Sequence, residues 1–223
     1  MWVTRIDHFP PPYAVAYGNG QYPYVVVPCL YGLVRESHTE GLAEYVEDLH
    51  RLGFKVVGSQ WGRGGNLAEA ELEAAAAAAA VSEYGFDGWV MNGEKNYEGM
   101  SRSAAYVRKF RDLHPSLPFG WSPEARLDLD HAVLQELGVA YMPQAYPLEA
   151  PVATLPYCVE WGVKFGYELR NIIPLVQAYP TNGERYPAER YRAQARVLGL
   201  TALILYTANQ SADVPQFWRE LVV

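Results

Sequence analysis

The chain has 223 residues, half of them hydrophobic and 19% charged, which excludes an intrinsically disordered polymer and leaves room for a sizeable core. Its 25 acidic and 18 basic residues give a formal net charge of −7. That balance excludes the clustered Lys and Arg on which phosphate-backbone binding draws, so nucleic acid is not an expected partner.

The first element in chain order is a short strand over residues 2–6, followed by a Pro- and Gly-rich stretch, 9–20, where a helix would otherwise be. This N-terminus has neither the long apolar core nor the small-residue cleavage site of a signal peptide. Further strands are predicted over residues 24–30, 54–61, 88–92, 117–121, 139–146, 172–179 and 202–207, from β-branched or aromatic runs bounded by turn residues. Between them, apolar residues recur at helical spacing over 38–52, 67–84, 101–113, 130–137, 152–165, 188–198 and 214–221. Gly53, Gly85, Gly138 and Gly199 each stand just past a helix and just before a strand, as helix stop signals do. The run of seven alanines from Ala74 to Ala80, preceded by Glu69, Glu71 and Glu73, reads as helix, because alanine has the highest helix propensity and acidic residues suit the N-terminal end. It carries no functional signal. The longest apolar run, residues 74–81, is too short to span a bilayer. A soluble chain without a membrane span is expected, and nothing in the sequence assigns its compartment.

Strand starts about every 30 residues, with helices between, are the rhythm of an α/β protein of the (β/α)8 TIM barrel class. The strand over residues 2–6 completes the eight, with an irregular first β/α unit, and no linker or compositional break divides residues 1–223 into more than one domain. A doubly wound open sheet is the alternative, but no glycine-rich phosphate turn follows any strand. Cys29 and Cys158 match no ligand spacing and read as two buried thiols, and the five His form no metal pair, so neither a metal nor a cofactor is expected.

The most informative segment is Phe86-Asp87-Gly88-Trp89-Val90-Met91-Asn92-Gly93-Glu94. Side chains alternate along a strand, so Asn92 and Glu94 share a face, and in a parallel barrel the C-terminal strand ends carry the chemistry. Trp89 has the opposite parity and belongs with the core. Two other strand ends echo one another: Pro143-Gln144-Ala145-Tyr146-Pro147 and Val176-Gln177-Ala178-Tyr179-Pro180. In each, the Gln and the Tyr share a face. Trp61 and Trp121 also end strands and are the candidate stacking platforms, since the apolar face of a sugar ring lies flat on an aromatic ring. Tyr206 is a further strand-end hydrogen-bonding candidate. Glu124, in the segment after Trp121, is the best second acid, ahead of Glu36 and Asp7.

With those residues in view, Asp87 to Glu94 resembles the Asp-Gly-x-Asp-x-Asp-x-Glu signature of family 18 chitinases, with Val90 and Asn92 in place of its second and third Asp. It is still more similar to the family 85 endo-β-N-acetylglucosaminidases, in which Phe-Asp-Gly-Trp leads into Asn-x-Glu. Both families are barrels that cleave beside an N-acetylglucosamine and use the sugar's own acetamido oxygen as nucleophile. The resemblance implies a retaining glycoside hydrolase acting on an oligosaccharide or glycan, with Glu94 as acid/base and Asn92 orienting the acetamide. Tyr146 is the first choice to hold that group from the other side, and Tyr179 and Tyr206 come next. Gln144, Gln177, Trp61 and Trp121 then line the sugar site, and Glu124 either contributes there or acts as the second carboxylate of a two-acid mechanism. Gly93 leaves the active strand less rigid than a β-branched residue would.

The altered signature also fits a different class of function: a barrel of glycosidase descent that no longer catalyses and serves as a glycan-binding or structural subunit of a larger assembly, such as a viral tail or surface protein.

Overall fold

The computed structural model describes residues 2–3, 24–35, 41–177, 181–200 and 202–207. The expected helix at 214–221, Tyr179, Asp7, Glu36 and the 9–20 stretch lie outside them.

The strands are β1 (Trp2–Val3), β2 (Tyr24–Tyr31), β3 (Val34–Arg35), β4 (Lys55–Trp61), β5 (Gly88–Asn92), β6 (Phe119–Trp121), β7 (Val139–Tyr141), β8 (Gln144–Ala145), β9 (Leu175–Gln177) and β10 (Ile204–Thr207). The helices among the described residues are α1 (Leu42–Arg51), α2 (Leu67–Tyr84), α3 (Met100–Leu113), α4 (His131–Glu136), α5 (Leu155–Lys164) and α6 (Ala188–Leu198). Neighbours run β7-β6-β5-β4-β2-β1-β10-β9-β8, and every pairing is parallel except the β2–β3 hairpin. Since β7 and β8 are one strand interrupted at Met142-Pro143, that order returns to its start. The sheet is a closed eight-stranded barrel, with β3 as an added hairpin arm. Pro143 lacks an amide hydrogen, which accounts for the interruption.

Two apolar layers follow from strand alternation. Val26, Val57, Val90, Ala140, Met142, Tyr146, Leu175 and Ile204 pack together as the barrel filling. Residues of opposite parity, such as Val56, Trp89, Met91, Phe119, Trp121, Tyr141 and Val176, pack in a second cluster with helix residues such as Leu49, Ala74, Ala77 and Phe110. The alanine-rich α2 buries Ala70, Ala74, Ala77, Ala78 and Ala80, and their small side chains let it lie close to the sheet and to α3. Asn66 caps its start by accepting from the Glu69 amide at 3.1 Å, and Gly85 ends it in the left-handed conformation at φ 70°. The other glycine stops, Gly53, Gly138 and Gly199, likewise have positive φ. Helices 67–84 and 188–198 and strand 88–92 have the bounds that the sequence predicts. Neither cysteine is in a disulfide, and both are buried. Among the described residues, no helix is long and apolar enough to cross a membrane.

Candidate active site at the barrel mouth

Glu94 follows β5 by two residues, and its carboxylate, half-buried, stands beside the Asn92 amide at the C-terminal end of the barrel. Gln144, at the start of β8, joins them: its Nε2 donates to Asn92 Oδ1 at 2.9 Å and to Glu94 Oε1 at 3.2 Å. Three predicted residues from two strands therefore form one hydrogen-bonded group. Among the described residues Glu94 is in no ion pair, so its carboxylate is oriented by a neutral amide rather than neutralised. Tyr146 has the parity of Gln144. It is buried, 7% exposed, among the barrel-filling residues that include Val90 and Met142.

The two strand-end tryptophans differ in fate, and register explains it. Laterally paired residues of neighbouring strands point to the same side of a sheet. Trp61 pairs with Asn92, so its ring is on the site's face, 44% exposed, and meets Tyr31 edge-on at a centroid distance of 6.1 Å. Trp121 pairs instead with Met91, so its ring is on the helix side and fully buried. The sequence-based expectation of Trp121 as a sugar platform is thereby corrected. Trp121 instead packs edge-on to Tyr97 at 5.2 Å and Tyr106 at 5.6 Å, and its Nε1 donates to the Gly93 carbonyl at 3.0 Å.

That contact also corrects the expectation of a loosened strand at Gly93. A Cβ there would lie 2.4 Å from Trp121 Cζ2. Glycine is required because the indole occupies the space, and the backbone just before Glu94 is pinned by it.

The remaining candidates are more dispersed. Gln177 faces the barrel interior but is fully buried, and its Nε2 donates to Thr181 Oγ1 at 2.7 Å. Tyr206 lies on β10 in register with Gln177 and Trp2. Glu124 is exposed in the segment after β6. The adjacent Pro123 carbonyl accepts from the Gln144 backbone N–H at 3.1 Å, and Glu124 beyond it stands on the rim. Ser122, fully buried, has interior parity and a hydroxyl with no partner among the described residues.

Asp87, the first acid of the signature-like segment, is at the opposite end of β5. It accepts from Lys55 Nζ at 2.7 Å, the Val56 amide at 2.8 Å and His50 Nε2 at 2.8 Å. Burial pushes its carboxyl up, but these three partners outweigh burial and hold it below the usual range. It ties α1 and β4 to β5 and is remote from the mouth.

Sequence reasoning missed Glu73. Only 2% exposed, it accepts from the amides of Arg63 at 3.0 Å and Gly64 at 3.2 Å and from the Tyr97 hydroxyl at 2.6 Å. Burial, and then the Glu73 carboxylate, push the Tyr97 phenol far above its ordinary range.

The closed barrel has counterparts among solved structures. It superposes on a family 18 chitinase from Pseudoalteromonas aurantia with a TM-score of 0.71 at 13% identity, over 97% of this chain and 96% of that one. The likeness is to the β/α barrel of that chitinase, and it extends over nearly the whole of both chains. An endo-β-N-acetylglucosaminidase from Cordyceps militaris matches with a TM-score of 0.60 at 14% identity, over 89% of this chain and 81% of that one. A xylanase-A-amylase inhibitor protein matches as closely as the chitinase, with a TM-score of 0.70 at 16% identity over 99% and 97% of the two chains. At such identities the likeness is one of fold, and this barrel houses proteins of more than one function. No protein-family model and no curated protein matches the sequence.

Proposed function

We propose that this barrel, acting as one domain, is a glycoside hydrolase that cleaves beside an N-acetylglucosamine in an oligosaccharide or glycan, with the acetamido oxygen as nucleophile. The observation that carries this reading is the Gln144 amide bridging Asn92 Oδ1 and Glu94 Oε1 at the barrel mouth. Glu94 is the acid that protonates the leaving oxygen. Gln144 engages Oε1, which leaves Oε2 to carry that proton. A carbonyl oxygen has two lone pairs, so Asn92 Oδ1 accepts from Gln144 and also from the acetamide N–H of the substrate. This turns the acetamide carbonyl toward the anomeric carbon and sets the Asn92 dipole against the positive charge of the oxazolinium that forms. Tyr146 closes the acetamide pocket from the barrel side, Trp61 offers its exposed face to a sugar ring, and Glu124 adds a carboxylate at the rim. Water then opens the oxazolinium with Glu94 acting as base, so configuration is retained.

One specific observation favours a second reading. Val90 packs in the apolar barrel filling, at the position where the chitinase signature has its second Asp, so a carboxylate that accompanies the mechanism in the resembling family is replaced by hydrocarbon. On this reading the chain binds a glycan without cleaving it, alone or as a subunit of a larger assembly.

Turnover of chitin-type and N-glycan oligosaccharides decides between them. The first reading expects hydrolysis by the parent protein, a loss of about 10³-fold or more in Glu94→Gln and of about 10²-fold in Asn92→Ala. Glycan binding without hydrolysis by the parent, unchanged in Glu94→Gln, overturns it in favour of the second. Dependence on Glu124 equal to that on Glu94 replaces the acetamide mechanism with a two-acid one.

A further inference from the structure

The βα loops after β4 and β5 are joined by two side chains of opposite charge, one on α2 and one on α3, which bond to the loops rather than to each other. From α2, the buried Glu73 carboxylate takes the amide hydrogens of Arg63 and Gly64 in the first loop and the Tyr97 hydroxyl in the second. From α3, Arg102 donates to the carbonyl of Gly64 in the first loop at 2.9 Å, and to the carbonyls of Asn96 at 2.6 Å and Glu98 at 2.5 Å in the second. Gly64 is thus held at both its N–H and its C=O. Neither loop has room to shift independently, since a Cβ at Gly62 or Gly64 would come within 2.5 Å of the Tyr97 ring. The link to Glu94 is direct: the Tyr97 amide donates to the Glu94 carbonyl at 2.8 Å. The first loop follows Trp61, which pairs with Asn92.

A carboxylate fully withdrawn from water is costly unless each lone pair is satisfied, and helix α2 would accept an apolar residue at position 73 between Ala70 and Ala74. Fold stability alone does not call for an acid there. We propose that Glu73 and Arg102 are positioning residues: a two-sided clamp that fixes the Glu94 carboxylate and the Trp61 ring in one geometry by locking the loop that carries Glu94 to the loop that follows Trp61. This rests on the reading of Glu94 as the acid.

The test uses Glu73→Gln and Arg102→Met, with Tyr97→Phe as the milder variant that removes the same link from Glu73 should Glu73→Gln fail to fold. Hydrolysis of an N-acetylglucosamine oligosaccharide is measured well below each unfolding midpoint. The clamp expects kcat to fall at least tenfold in Glu73→Gln, or in Tyr97→Phe in its place, and at least threefold in Arg102→Met, with KM within threefold of the parent. It also expects amide hydrogen exchange to accelerate in residues 62–65 and 94–98 together, in any one of the variants. Values of kcat within twofold of the parent, or exchange that rises in only the loop directly altered, overturn it. If the parent cleaves nothing, the proposed activity is what fails, and the exchange measurement alone still decides whether the clamp joins the two loops.

Discussion

The two Gln-Ala-Tyr-Pro strand ends are nearly identical in sequence and opposite in use. Gln144 opens onto the mouth and holds Asn92 and Glu94, whereas Gln177 is fully buried and turned to Thr181, four residues along its own chain. Both have interior parity. Their positions along the strands also differ: Gln144 is level with Leu175, so Gln177 stands two residues further along, level with Tyr146. Alternation decides which face a side chain takes, but the stagger between neighbouring strands decides what it meets there.

The sharpest way to break this contrast is Gln144→Leu. Removing the amide frees Asn92 and Glu94 from their shared donor, and kcat/KM on an N-acetylglucosamine oligosaccharide is expected to fall about 10- to 100-fold, the equivalent of one or two charge-assisted hydrogen bonds. Because the site is half-open to water, the urea unfolding midpoint should move little. Gln177→Leu should do the reverse: a loss of about 1–3 kcal/mol in unfolding free energy from the disrupted buried hydrogen bonding, with kcat/KM changed less than threefold. Equal activity losses in the two variants would erase the distinction. The smallest effect is expected at Ser122, where the interior hydroxyl has no partner among the described residues. Ser122→Ala should leave unfolding free energy within about 0.5 kcal/mol of the parent or raise it slightly, since no hydrogen bond is given up. A larger destabilisation would mean that a water-mediated bond holds that hydroxyl.

Much of the barrel was legible because its local signals agree: helix 67–84 has an Asn cap, alanines and a terminal glycine, and strand 88–92 lies between two glycines. The pairing of Asn92 with Glu94 followed from alternation alone. Trp121 was misplaced because its face depends on register with β5, and register is a property of two strands that neither sequence states by itself. Glu73 was invisible for another reason. In a helix of alanines an acidic residue reads as a solubilising charge suited to the dipole, and only the folding of residues 62–64 and 97 against it reveals three hydrogen bonds donated to one carboxylate.

The indole seated where Gly93 has no side chain bears on how kin of this protein could be found. With only about one residue in seven shared with structural neighbours, a search profile built on the acid alone has little to grip. Gly93 and Trp121, 28 positions apart and bonded through carbonyl and ring nitrogen, are linked: a side chain enters at Gly93 only if the indole gives way, and the same holds for Gly64 and the Tyr97 ring. Those linked pairs form a fingerprint of geometry that would identify a descendant even after Glu94 had been lost.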